Sequence, residues 1–181
     1  DRNDIRRGGV LILVKKNIWA KSRPEWTSPD PHNNKILGVE LHPIEGRRIG
    51  LITAYRPQTD PYAKFLENLS ITLQNFLSNN IGEFIIMGDL NYSNIKWQDT
   101  TYSNLTIHDK EFLSLLESHN LRQLNHNPSR RGEKNILDLI LTNLPETFGP
   151  INPGTYYFKS DHILLDTNVN IPTKRIQKTT R

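Results

Sequence analysis

The sequence predicts a layered α/β domain whose sheets are largely antiparallel. Three observations support this class: short apolar runs separated by loops, two segments with the 3.6-residue spacing of a buried helix face, and polar residues at strand ends. A chain of 181 residues has the usual length of one domain and can bury one hydrophobic core. We therefore assign residues 1–171 to one domain and the basic segment 172–181 to a tail or linker.

The first part of the chain contains three predicted strands. The apolar run 10–14 follows two glycines and is interpreted as a buried strand entered from a glycine turn. Residues 36–41 and 48–55 flank a short turn, which predicts a hairpin. The intervening segment 22–34 is rich in Pro, Asp and Asn and is predicted to be a surface loop.

A helix and a central strand follow the hairpin. Apolar residues recur at helical spacing through 61–77, with Asp60 as the predicted N-cap and a proline in the first turn, where proline is tolerated. The apolar run 83–87 is predicted to be the strand, and it brings Asp89 and Asn91 to its carboxyl end.

The rest of the chain predicts one more helix and several short strands. Residues 109–118 have a helical apolar face, and 127–134 form a basic loop. Strands are predicted at 121–124, 136–141, 156–158 and 163–169.

Composition narrows the classes of function. The absence of cysteine excludes disulfide partners, thiolate metal sites and cysteine nucleophiles, and it favours an intracellular compartment. No apolar stretch approaches the roughly 18 residues of a membrane-spanning helix, so we expect no membrane segment. A net charge of +4 and a pI of about 9.3 mildly favour an anionic partner.

The strongest candidate for chemistry is the pair Asp89 and Asn91. Residues two apart on extended backbone point to the same side, so the carboxylate can activate water while the amide holds a phosphate oxygen. The alternative is structural, because Asp and Asn at a strand end also form Asx turns or helix caps.

Three further clusters are candidates. Asp161 and His162 are adjacent, so on extended backbone their side chains point oppositely, and one can face a metal or substrate while the other is oriented by a neighbouring residue; a surface turn is the alternative. Asp138 interrupts an apolar strand and can hold a histidine in its working tautomer, or it can face solvent. Tyr55 at a strand end can donate to a phosphate oxygen or simply pack.

Taken in order, these motifs resemble the endonuclease/exonuclease/phosphatase superfamily. The closest likeness is to the apurinic/apyrimidinic-type endonuclease domain of non-LTR (LINE-type) retrotransposons, and the motifs extend over about residues 7–169. The motifs that carry the resemblance are Arg7-Gly8-Gly9-Val10, Tyr55-Arg56-Pro57, Gly88-Asp89-Leu90-Asn91 with Trp97, Leu137-Asp138-Leu139-Ile140-Leu141-Thr142-Asn143, and Ser160-Asp161-His162.

The resemblance implies a four-layered α/β sandwich of the DNase I type that hydrolyses phosphodiesters. It gives each candidate a role: Asp89 positions and deprotonates the attacking water, Asn91 binds the phosphate, and Tyr55 hydrogen-bonds to it. His162 contacts the scissile phosphate, and Asp138 orients His162.

The resemblance also implies a divalent cation and a nucleic-acid partner. Mg²⁺, or Mn²⁺, is the expected metal, with Asp161 beside it. The expected substrate is double-stranded DNA, nicked in the nucleus to expose a 3′-hydroxyl that primes a fused, downstream reverse transcriptase. Arg130, Arg131 and Lys134 are candidates for contact with the DNA backbone, or solvated surface residues, and 92–101 is a candidate target-site loop.

Members of this family begin with two further strand segments, one ending in Asn and one carrying the Glu that is the main metal ligand. The chain starts almost at the segment that follows them, so we expect its first strands and this Glu to be missing. Two alternatives to an active endonuclease therefore stay open. One is an inactive remnant that only binds nucleic acid, and the other is a superfamily phosphatase or phosphodiesterase acting on a small or lipid phosphate ester.

Overall fold

A six-stranded mixed sheet organises the molecule. The computed structural model describes residues 9–28, 35–43, 46–98, 104–156 and 160–171. The sheet has the strand order β1-β2-β3-β4-β6-β5, and a separate two-stranded sheet pairs β7 with β8. The strands are β1 (Trp19–Thr27), β2 (Ile36–His42), β3 (Ile49–Ala54), β4 (Glu83–Asp89), β5 (Arg122–Gln123), β6 (Asp138–Thr142), β7 (Asn152–Tyr156) and β8 (Ile163–Asp166). The helices are α1 (Tyr62–Ser78), α2 (Ile107–Ser118) and the 3₁₀ turn Pro145–Thr147.

The strand directions bring polar residues to one end of the sheet. β3 and β4 run parallel, so Tyr55 and Asp89 reach the same end. β6 runs antiparallel to β4, and its first residue, Asp138, pairs with Asp89 across the ladder. The carboxyl end of β4 and the amino end of β6 therefore place two carboxylates side by side.

Both faces of the sheet are covered. α1 packs its apolar residues, such as Phe76, on one face, where the ring of Phe76 stacks on Trp26 with centroids 4.5 Å apart. Gly38 permits this approach, because a Cβ there would lie 2.9 Å from the Phe76 ring. On the other face, Leu144 packs with Ile49 and other apolar side chains. The site at the sheet end thus rests on a packed core.

The predicted hairpin and both helices are confirmed. β2 and β3 pair antiparallel in continuous register. The start of α1 differs in detail: its N-cap is Pro61, and Asp60 forms an ion pair with Lys35 instead. α2 begins after Thr106, whose hydroxyl accepts from the Asp109 amide while the Asp109 carboxylate accepts from the Thr106 amide, a capping box.

The predicted first strand is wrong. Residues 10–14 are not in a strand, and Leu11 and Leu13 are 73% and 85% exposed. No described segment pairs with this run, and an apolar sequence alone cannot supply the partner that a strand needs. Conversely, β1 occupies part of the predicted loop 22–34, since an exposed edge strand tolerates polar residues.

The later strands are present but shifted. β5 and β6 fall within or beside their predicted ranges, and β8 ends at Asp166, before the predicted Val169. β7 ends at Tyr156, where the predicted strand begins, and 157–158 lie outside the described residues. Arg7 and the predicted tail 172–181 lie outside them too. No helix in the described ranges is long and apolar enough to cross a membrane.

Candidate active site

Asp89 at the carboxyl end of β4 is an unusual carboxylate. Burial, and secondarily the negative charge of Asp138, raise its pKa from 3.8 to about 6. Its Oδ1 atom is buried and has no hydrogen-bond partner among the described residues. A carboxylate with this pKa is largely ionised at neutral pH and still basic enough to take a proton.

Asp138 lies opposite Asp89 in the ladder and forms a hydrogen bond with His162. His162 Nδ1 lies 2.8 Å from Asp138 Oδ2, and the Ser129 hydroxyl donates to the same oxygen. When the neutral ring carries its proton on Nδ1, this N–H donates a hydrogen bond to the carboxylate, and Nε2 is left free to accept a proton or a hydrogen bond. The predicted neighbourhood of Asp138 and His162 is therefore present in the fold.

A short antiparallel contact between residues 129–131 and 161–163 holds His162 at the end of the sheet. The amide of Ile163 donates to the Ser129 carbonyl, and the amide of Arg131 donates to the Asp161 carbonyl, both over 2.8 Å. Arg130 and His162 face each other in this bridge. The loop before β6 thus holds the residues before β8 in place.

Asn91 sits in a tight turn two residues beyond Asp89. Its backbone has a positive φ of 53°, which asparagine tolerates better than most residues. Its Nδ2 donates to the Arg56 carbonyl over 2.8 Å, and its Oδ1 accepts a long 3.5 Å bond from Gln58. Tyr55 precedes Arg56 at the same sheet end and is half-buried. The amide has a second N–H that these contacts leave unassigned.

Asp161, the predicted metal ligand, is exposed and paired with an arginine. The Asp161 side chain is 61% exposed and accepts from Arg130 Nε over 3.0 Å. That hydrogen bond lowers the pKa of Asp161 and raises the pKa of Arg130. Within the described ranges, no group of three or more His, Asp or Glu side chains could hold a metal ion.

The basic residues predicted to contact DNA lie around the loop before β6. Arg130 is engaged by Asp161, and the Arg131 guanidinium lies 4.4 Å from the ring centroid of Tyr156. Lys134 is exposed and borders a cavity of about 300 Å³, which also includes Lys96. The first seven residues of the predicted 92–101 loop are described, and 99–101 are not.

Sequence reasoning missed two residues that hold the site. Ser129 is 1% exposed and lies in a polar loop, where a serine carries no distinguishing pattern. Arg56 is fully buried, and its position beside Tyr55 at a strand end is the signal that would have found it. The fold brings Asp89, Asp138 and His162 together, with Asn91 beside them.

The fold is shared with two solved structures. One is the endonuclease domain of TRAS1, a telomere-specific non-LTR retrotransposon, with a TM-score of 0.66 and 16% identity over 88% of this chain and 72% of that chain. The other is the 3′ phosphatase NExo from Neisseria bound to a product DNA hairpin, with a TM-score of 0.56 and 14% identity over 86% and 71%. The predicted α/β fold class is thereby confirmed.

The sequence also matches a protein family. Residues 49–165 match the family described as endonuclease-reverse transcriptase, a span that extends from β3 to β8 and includes the whole candidate site. No curated protein matches the chain significantly. The superfamily assignment made from the motifs is confirmed.

Proposed function

The chain belongs to the endonuclease-reverse transcriptase family of the endonuclease/exonuclease/phosphatase superfamily, and we propose that it nicks double-stranded DNA by hydrolysing a phosphodiester bond. The observation that carries this proposal is the contact of Asp138 with His162, 2.8 Å long, beside the cross-strand carboxylate of Asp89. Such a cluster supplies a base and a polar contact for one phosphate group.

Asp89 is the base of the proposed reaction. With a pKa of about 6 it is about nine-tenths ionised at pH 7, and it can take the proton of an attacking water. His162, oriented by Asp138, contacts the scissile phosphate. The remaining N–H of the Asn91 amide and the phenol of Tyr55 donate to the phosphate oxygens, which gain charge in the transition state.

Mg²⁺ or Mn²⁺ is the proposed cofactor. Mg²⁺ usually takes one or two protein carboxylates, several waters and the phosphates of the substrate. We therefore propose a cation recruited together with the phosphodiester, with Asp161 near it. Arg130, Arg131 and Lys134 are proposed to contact the DNA backbone.

The proposed biological role follows from the family. A nick leaves a 3′-hydroxyl, which a reverse transcriptase joined to this domain in the full protein extends. The proposed nicking and priming take place on chromosomal DNA, so we propose a nuclear location. The TRAS1 likeness supports a DNA substrate.

A nicking assay tests the proposal. Supercoiled plasmid is incubated with the protein in Mg²⁺, in Mn²⁺ and in EDTA, together with Asp89→Ala and the control Asp166→Ala, an exposed carboxylate on β8. We expect relaxed circles with metal, none in EDTA, and a loss of at least about 100-fold in Asp89→Ala alone. DNA binding without nicking supports the inactive remnant. Release of phosphate from a 3′-phosphorylated hairpin without nicking supports the phosphatase alternative.

The contact with the DNA backbone has its own test. Each phosphate contact adds about one to the slope of log affinity against log salt concentration. Arg130→Ala should flatten this slope by about one, because the freed phosphate keeps its counterion. An unchanged slope excludes a phosphate contact for Arg130.

A further inference from the structure

Arg56 is a fully buried cation whose hydrogen bonds go to the backbone. Arg56 directly follows Tyr55 in the sequence and is 0% exposed. Nε donates to the Leu90 carbonyl over 2.8 Å, and Nη2 donates to the Asn91 carbonyl over 2.6 Å. Nη1 makes longer bonds to the carbonyl oxygens of Pro57 and Asp60, at 3.3 and 3.5 Å. Burying a guanidinium is costly, so these contacts need an explanation beyond packing.

Aromatic rings hold the guanidinium in place. Its Cζ lies 3.8 Å from the ring centroid of Tyr62, the first residue of α1, and 5.1 Å from that of Tyr92. A cation over an aromatic face is attracted by the ring, most strongly where water is excluded. Arg56 therefore links the start of α1 to the turn that follows β4.

The contacts between Arg56 and this turn are reciprocal. The amide of Arg56 donates to the Asp89 carbonyl over 2.9 Å, and Asn91 Nδ2 donates to the Arg56 carbonyl over 2.8 Å. The turn needs this support because Asn91 has a positive φ of 53°. One residue thus contacts the backbone of each of the three residues 89–91.

We propose that Arg56 is a positioning residue, which fixes the turn 89–91 so that the side chains of Asp89 and Asn91 face the scissile phosphate. This inference rests on the proposed nicking function. Lysine cannot replace arginine here, because an ammonium has no planar fork that reaches two carbonyl oxygens in fixed directions.

The first test measures the rate of nicking. In Arg56→Lys we expect kcat to fall about 100-fold, the effect of moving a catalytic group by about 1 Å, while KM changes by less than about threefold. The control is Ile81→Ala, which opens a cavity at the opposite end of β4. When nicking is measured below the Tm of Ile81→Ala, this control should have the same kcat as the parent protein. Equal losses of kcat in the two variants overturn the proposal.

The second test does not depend on nicking. The Leu90 amide donates to the Leu137 carbonyl over 3.0 Å, so hydrogen exchange at Leu90 reports on the turn. Exchange should accelerate about tenfold or more in Arg56→Lys and stay unchanged in Ile81→Ala. If exchange is unchanged, Arg56 does not position the turn. If exchange accelerates but the parent protein does not nick, the proposed function fails and the structural part of the inference stands.

A second variant covers the case in which Arg56→Lys does not fold. Tyr62→Leu removes the ring beneath the guanidinium and leaves the Arg56 hydrogen bonds available. We expect kcat to fall about tenfold, the rate equivalent of a desolvated cation–π contact, with faster exchange at Leu90. Unchanged kcat and unchanged exchange in this variant overturn the proposal.

Discussion

Replacing Asp89 with asparagine should stabilise the protein at neutral and alkaline pH. The pKa of Asp89 is raised from 3.8 to about 6 by burial and by the charge of Asp138. Ionisation is therefore less favourable in the folded protein than in the unfolded chain. Asp89→Asn removes this penalty, since the amide is neutral at every pH.

The sign and size of the effect follow from the two pKa values. Well below pH 3.8 the carboxyl is neutral in both states, so its ionisation contributes no penalty. The penalty grows as pH rises from 3.8 to about 6 and applies in full above about pH 6, where the carboxyl is charged in both states. A difference of about two pH units corresponds to about 3 kcal/mol, which partial exposure to solvent reduces to about 1–2 kcal/mol. For a chain of this size, that is an increase in Tm of about 3–6 °C.

Urea unfolding of both proteins between pH 4.5 and 8, in EDTA, measures this difference. The gain in free energy of unfolding in Asp89→Asn should be about one third of its maximum at pH 4.5, rise through pH 6 and then level off. Asp166→Asn, at an exposed position on β8, is the matched control and should show no such rise. A gain that does not depend on pH, or a variant less stable at pH 8, refutes the reasoning.

Three other predictions concern the support of the site and the fold. Ser129→Ala should lower kcat about tenfold and Ser129→Thr should restore it, measured by plasmid nicking, because threonine keeps the hydroxyl that donates to Asp138 and alanine lacks it. Gly88→Ala should destabilise the protein by more than about 3 kcal/mol in urea unfolding, since the new Cβ would lie 1.8 Å from a backbone oxygen. Gly82→Ala, where the space is open, should change stability by less than about 1 kcal/mol. Thr106→Val should cost about 1 kcal/mol in the same measurement, because it removes the side-chain cap of α2.

Much of the sheet and the position of Asp89 could be predicted from the sequence. The hairpin of β2 and β3 has apolar strands on both sides of a turn, and the strand before Asp89 is an uninterrupted apolar run. Such strands can be predicted because the apolar run and the turn beside it are visible in the local sequence. They placed Asp89 and Asn91 at a strand end, as found.

The failures have a common physical cause. The run 10–14 has the composition of a buried strand, yet pairing depends on a distant partner that local sequence does not reveal. β1 is polar because it is an exposed edge, where composition is a poor guide. The role of Arg56 was missed for a similar reason, since its two shortest side-chain hydrogen bonds go to backbone carbonyls more than 30 residues away.

The short contact between 129–131 and 161–163 has a consequence for heat inactivation. Two backbone hydrogen bonds, the exposed Arg130–Asp161 ion pair and the His162–Asp138 hydrogen bond hold this contact, whereas the sheet beneath it is secured by a continuous ladder and a packed core. Local opening of a small contact takes less free energy than global unfolding. On warming, His162 should therefore separate from Asp138 while the sheet is still intact. The proposed nicking activity should therefore be lost several degrees below the melting transition and return on cooling.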